Sequence, residues 1–253
     1  LAVFTFVASC GSAEKSEIRA RRALAIGEYA EAASHYQQAY RLTPPSEKAR
    51  RARLAYALGE SYRRYGASSR ALAAFRTAER YHLTDTLTFL RQGQMAMLQG
   101  DYKGALTAFE NQSKLSPDNS TLAAAQKRAE QGMLQAKKAI AERGETSLYT
   151  VKAAAQFNGN RSDYAPMLLG QGKEQQLYFT TTRSAVLGND VSGITAQKNG
   201  DVFFVQLDEK GRWKTPEPVV SINTAQDEGA VAFSPDGKTM YLTVCQQHPQ
   251  YPR

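Results

Sequence analysis

Residues 201–242, DVFFVQLDEKGRWKTPEPVVSINTAQDEGAVAFSPDGKTMYL, constrain the fold of this chain more than any other stretch. Asp201 to Leu207 alternates as a half-buried strand does, and turn chemistry follows at Asp208 to Gly211. A second turn is written in Ser234-Pro235-Asp236-Gly237-Lys238, where Pro presets φ and Gly accepts a positive φ. The stretch also closes a repeat. Leu177-Tyr178-Phe179-Thr180 lies 63 positions ahead of Met240-Tyr241-Leu242-Thr243, and Asp163 lies 64 ahead of Asp227. That spacing suits one unit of four short antiparallel strands with its loops, so the C-terminal part of the chain is expected to hold about one and a half units.

Units of this kind close into rings of at least about four, the β-propellers. Residues 146–253 are therefore expected to be the first part of a WD40-like propeller, with the chain the front of a longer protein. Asp227 and Glu228 are adjacent carboxylates, and neighbouring strand residues point to opposite faces, so they read as the start of an inner strand. Cys245 is expected to be a half-buried strand thiol.

Residues 13–145 follow a different pattern. They are rich in Ala, Leu, Arg, Glu and Gln, with Pro confined to two junctions, and read as helical. Gly27-Glu28-Tyr29 leads to Ala32, Tyr36, Ala39 and Pro44; Gly66 leads to Ala71, Phe75 and Ala78; Gly100-Asp101-Tyr102 leads to Ala105, Phe109 and Pro117. These are the offsets of the second helix of a tetratricopeptide repeat. Leu58-Gly59 with Tyr62 gives the first-helix element, and Gly93 holds the matching small site. A small residue there lets two helices approach closely while an aromatic from the second fills the space beside it. Ala20, Leu83 and Gln112 depart from the pattern. A spacing of 39 rather than 34 between the first two repeats implies an insertion of about five residues around Pro44 to Arg50. Residues 120–143, with Asn119 and Ser120 as N-cap candidates, read as a capping helix that ends at Gly144. The fold class expected is multidomain, α then β: an α-solenoid of three tetratricopeptide repeats with a cap, then a partial propeller.

The beginning of the chain is a third signal. The apolar run Leu1 to Val7 precedes Val7-Ala8-Ser9-Cys10-Gly11, which matches a bacterial lipobox. Residues 1–9 are expected to be the remnant of a signal peptide, and residues 10–12 a mature N-terminus acylated at Cys10. Several acyl chains anchor stably where one does not. Gly11 is not the aspartate that retains a lipoprotein in the inner membrane, so the periplasmic face of an outer membrane is expected.

Residues 13–145 carry 22 Lys and Arg against 14 Asp and Glu, whereas 146–253 carry 10 of each, so all the excess positive charge is helical. The basic residues are spread among acidic ones without interleaved aromatics, which argues against nucleic acid and for anionic head groups or acidic partners. His35, His82 and His248 are scattered, two of them on predicted helices. No nucleophile elbow, phosphate loop or H-E-x-x-H pattern occurs, so no enzyme, cofactor or metal site is expected. Binding is expected instead in a groove lined by first helices: Tyr56, Glu60, Arg63 and Arg64 from repeat two, and Leu90, Gln94 and Met97 from repeat three. Paired arginines beside apolar side chains suit a peptide carrying a carboxylate.

D-V-F-F…G-R-W…P-E-P-V-V…I-N-T…D-E-G…F-S-P-D-G-K-T-M-Y-L resembles the PD40 repeat of Bacteroidetes outer-membrane lipoproteins that also carry OmpA-like peptidoglycan-binding domains. The order lipobox, tetratricopeptide repeats, propeller is similar to that of a periplasmic component of the type IX secretion system. The resemblance implies a non-enzymatic scaffold that binds other secretion proteins, and peptidoglycan through a region outside these 253 residues. The alternative is a sensory or uptake propeller that captures oligosaccharide or peptide.

Overall fold

The computed structural model describes residues 4–83, 87–115, 120–145 and 149–245, with side chains from residue 12 onward. Among these, seven helices precede six antiparallel strands. The chain divides into two compact units, 1–147 with 193–195, and 148–192 with 196–253. The main boundary therefore falls two residues beyond the expected 145/146.

The helical unit comprises α1 (Phe4–Ala25), α2 (Tyr29–Leu42), α3 (Lys48–Arg64), α4 (Ser68–Arg80), α5 (Thr88–Leu98), α6 (Tyr102–Ser113) and α7 (Ser120–Ala141). Three hairpins, α1–α2, α3–α4 and α5–α6, turn in the same way. Gly27, Gly66 and Gly100 take φ of +87°, +86° and +70°, the left-handed conformation that ends a helix at little cost only for glycine. The next residue then donates its N–H to the carbonyl five positions back: Glu28 to Ala23 at 2.9 Å, Ala67 to Tyr62 at 2.9 Å, Asp101 to Ala96 at 3.0 Å. Asp101 adds a side-chain cap, its Oδ1 accepting the Gly104 N–H at 3.0 Å.

Inside each hairpin the close approach expected from the sequence is present. A Cβ on Gly59 would lie 2.7 Å from the Phe75 ring, and one on Gly93 would lie 2.4 Å from Phe109. Ala20 and Tyr36, at the same separation of 16, are both buried in the same core. Phe75 is fully buried, which is worth about 1.5–3 kcal/mol for a large apolar side chain. Gln112, one of the departures from the pattern, has a job of its own. It is 1% exposed, and its Oε1 accepts the Leu90 N–H at 2.9 Å, satisfying one of the orphan donors in the first turn of α5. The extra residues between Gly27 and Gly66 appear chiefly in α3, which has 17 residues against 11 in α5. His82 lies in the turn after α4 with φ of 63°, not on a helix as expected; His248 lies outside the described residues. α7 begins at Ser120 and ends at Ala141, ahead of the expected stop; it buries Leu122, Ala125, Ala129, Gly132 and Ala136 on one stripe.

In the other unit, β1 (Asp163–Leu169), β2 (Gln176–Thr181), β3 (Asp201–Gln206) and β4 (Glu217–Pro218) form a sheet in sequential order. β5 (Asp227–Phe233) and β6 (Met240–Cys245) form a second, two-stranded sheet, and neither sheet closes on itself. β5 packs against β1, β2 and β3, so the second sheet begins on the face of the first. Phe179, Val186, Phe203 and Val205 form the core there, with Phe157, Leu177 and Trp213 against it.

The internal repeat is carried by backbone shape as well as sequence. β1 and β5 each bulge, between Tyr164 and Met167 and between Gly229 and Ala232, and each bulge holds an alanine with positive φ, Ala165 at 51° and Ala230 at 49°. These alanines are 65 apart, while Tyr178 and Tyr241, the β2 and β6 partners of Met167 and Ala232, are 63 apart. The equivalent of Asp163 is consequently Glu228, one residue beyond the expected Asp227. Both carboxylates accept a backbone N–H from four residues upstream: Asp163 from Gly159 at 2.6 Å, Glu228 from Thr224 at 2.9 Å. Asp227 instead ties the sheets together, its Oδ1 accepting the Gly200 N–H at 2.6 Å. Cys245 is exposed rather than half-buried: among the described residues β6 pairs only with β5, which leaves its end open to solvent.

Asp201 is a buried anomaly. Its residue is fully buried; Oδ2 accepts the Leu187 N–H at 2.7 Å, but Oδ1 has no partner among the described residues. Burial raises its pKa, opposed by the Leu187 N–H and reinforced by Glu228 and Asp227. A raised folded pKa favours the fold below the ordinary carboxylate range and withdraws that stability as the pH rises through the raised value. Asp201→Asn, which keeps the acceptor and removes the charge, should therefore stabilise the protein by about 1 kcal/mol at pH 7. Thermal melts should show this gain shrinking towards pH 4; an unchanged or lower melting temperature at neutral pH would refute the assignment.

Candidate partner-binding face

The first helices of the second and third hairpins meet across a charged cluster. Glu60, on α3, holds Arg63 one turn later, with Arg63 Nη2 2.9 Å from Oε2 and Nε 3.1 Å from Oε1. Arg91 of α5 reaches the same carboxylate, Nε lying 2.8 Å from Oε1. That contact is ionic rather than a well-aligned hydrogen bond, since the Arg91 Nε–H finds no acceptor in line. Arg91 Nη1 then donates to Gln94 Oε1 at 3.0 Å. Tyr56, one turn before Glu60, sets its ring edge-on to Phe75 with centroids 5.5 Å apart.

The electrostatics follow from one carboxylate between two guanidiniums. Hydrogen bonds to Glu60 raise the Arg63 pKa against the effect of its own burial. Burial raises the Tyr56 phenol, with the Glu60 charge adding to it and Arg91 opposing. The Glu60 side chain is only 13% exposed, so the cluster is a half-dry, net positive site with a protonated phenol on its edge. Such a site can receive a carboxylate or an amide carbonyl, and it has no arrangement of nucleophile and base.

Of the seven residues expected to line a groove, the structure gathers four: Tyr56, Glu60, Arg63 and Gln94. Arg64, one residue on, turns a different way, its guanidinium 5.4 Å from the Tyr29 ring on α2. Met97 is half-buried against the helical core. Leu90 is a correction: at 1% exposure it belongs to the core and cannot touch a partner, because it sits in the first turn of α5 where that helix packs against α6. Arg91 was not foreseen. It stands 31 positions after Glu60, three short of the 34-residue period, and so returns to the same face one helical turn lower. The first and second hairpins are joined likewise, Arg50 of α3 lying 3.2 Å from Glu17 of α1.

Neither the protein-family models nor the curated proteins contain a match to this chain. Cys10 falls within α1, but its side chain lies outside the described residues. No described helix is long and apolar enough to cross a membrane. Among the described residues, no group of three or more His, Cys, Asp or Glu side chains is placed to hold a metal ion.

Proposed function

We propose that this chain is a non-enzymatic scaffold lipoprotein, a stack of tetratricopeptide repeats leading into the first part of a WD40-like propeller, anchored at Cys10 to the periplasmic face of an outer membrane. In this reading it organises proteins of the type IX secretion system, and peptidoglycan attachment comes from an OmpA-like region beyond these residues. The observation that carries the proposal is regular repetition in both units: three hairpins with the same glycine turn, and two sheets opening on the same bulged strand. Repeated units without convergent catalytic groups are the architecture of extended protein-binding surfaces. The Tyr56–Glu60–Arg63–Arg91–Gln94 cluster supports a partner carrying a carboxylate on an extended or helical peptide.

A crosslinking pull-down from cells making the tagged full-length protein tests this. Secretion subunits should be recovered, and Arg63→Ala with Gln94→Ala, which removes two members of the cluster, should reduce the recovery at least several-fold with the helical circular dichroism signal unchanged. Recovery of a small ligand instead, with secretion intact in a deletion strain, would replace the scaffold reading with a sensory one.

A further inference from the structure

The outward side of α1 carries a basic stripe with exposed isoleucines; α7 also exposes Leu134 beside Lys127 and Lys138, but Lys138 there pairs with Glu142 at 3.6 Å. Lys15, Ile18, Arg19, Arg22 and Ile26 recur at the 3–4 residue spacing that puts them in one stripe, and all five are exposed. Ile18 is 44% exposed and Ile26, just past the helix end, 71%. None of the three basic side chains has an ion-pair or hydrogen-bond partner among the described residues. Arg21, on the flank, is by contrast committed to Glu17 at 2.6 Å, and Glu17 also takes Arg50. The outer face of α4 is basic too, but Arg76 there pairs with Asp101 at 3.4 Å and no exposed large apolar residue accompanies it. At its C-terminal end the α1 stripe borders a shallow cleft, where Arg19, Arg22 and Ile26 share the lining with Glu28, Glu31 and His35.

We infer that this stripe of α1 docks on an anionic lipid surface. Long basic side chains place their charge among head groups while their stems, and isoleucines beside them, rest at the start of the acyl layer. An acidic peptide fits less well, because the stripe is the convex side of a single helix with no groove or strand edge to fix a backbone. The inference does not depend on what the α3–α5 cluster binds. It would add a surface contact beside the anchor expected at Cys10.

The test is vesicle co-sedimentation of the full chain carrying Cys10→Ser, which removes any acyl contribution. Vesicles of phosphatidylcholine alone are compared with the same lipid mixed with phosphatidylglycerol. Binding should favour the anionic vesicles and weaken as salt is raised. Each basic residue near an anionic surface multiplies partitioning about five-fold, so Lys15→Ala/Arg19→Ala/Arg22→Ala should lower it by about 100-fold with an unchanged helical circular dichroism signal. Ile26→Ser should reduce binding a few-fold without changing the salt dependence. Equal binding to both vesicles, or anionic preference retained in the triple variant, would overturn the inference. So would binding to polyglutamate with none to vesicles, which would make the stripe an acidic-polypeptide site.

Discussion

Gly93→Val is expected to destabilise the helical unit by about 3 kcal/mol, the upper end of what overpacking a core usually costs. A Cβ at that position would stand 2.4 Å from Phe109 Cε1 and 2.5 Å from Cδ1, far inside contact distance. The ring cannot retreat, because Gly132 of α7 faces its other edge and a Cβ there would lie 2.6 Å away. Phe109 is thus gripped between two glycines, and any added atom must separate α5 from α6. Gly100→Ala is the control. Its Cβ would meet nothing within 4 Å, so its cost is the positive φ alone, about 1 kcal/mol. Urea unfolding followed by helical signal measures both; a Gly93→Val variant no weaker than Gly100→Ala would mean that the ring moves freely.

Glu60→Gln should cost about 2 kcal/mol, less than the 3–5 found when a fully buried pair loses a partner, because both arginines keep some contact with water. The Arg91 and Arg63 side chains are 16% and 27% exposed, and without the carboxylate they become two like charges against the same face. Size and hydrogen-bonding oxygen are retained, so the loss isolates charge. Arg91→Met in the Glu60→Gln background should recover much of it, since the second change removes the uncompensated cation. A double-mutant cycle by chemical denaturation measures the coupling. Additive effects would show that Glu60 and Arg91 act independently despite their separation of 2.8 Å.

Much of the helical unit was legible because its rules are local. A glycine that must adopt positive φ and a small residue 16 positions ahead of an aromatic both leave marks that survive changes elsewhere. The strands of the other unit were legible for a similar reason, since turn chemistry at Asp208 to Gly211 and at Ser234 to Gly237 brackets them. What escaped depends on matters that spacing does not encode. Aligning Asp163 with Asp227 followed residue identity, whereas the backbone bulge moves the equivalence to Glu228, whose longer side chain makes the same bond to a loop N–H. The period places Leu90 on a groove, whereas its side chain packs into the helical core, which spacing does not encode. Arg91 was invisible because an ion pair between helices depends on how far a side chain reaches, not on motif. The unpartnered oxygen of Asp201 likewise leaves no trace in an alternating strand.

The seam between α4 and α5 is the sparsest of those joining consecutive helices, among the described residues. Polar links cross it beside the shared apolar core: Gln92 donates to Glu79 at 2.8 Å and to the Phe75 carbonyl at 3.4 Å, and the Glu60–Arg91 pair spans the hairpins nearby. Polar links of this sort re-form after a small rotation, whereas interdigitated side chains resist one. The helical unit is therefore expected to yield at this seam before it yields within a hairpin, so a strain applied along the row of helices would be taken up there first.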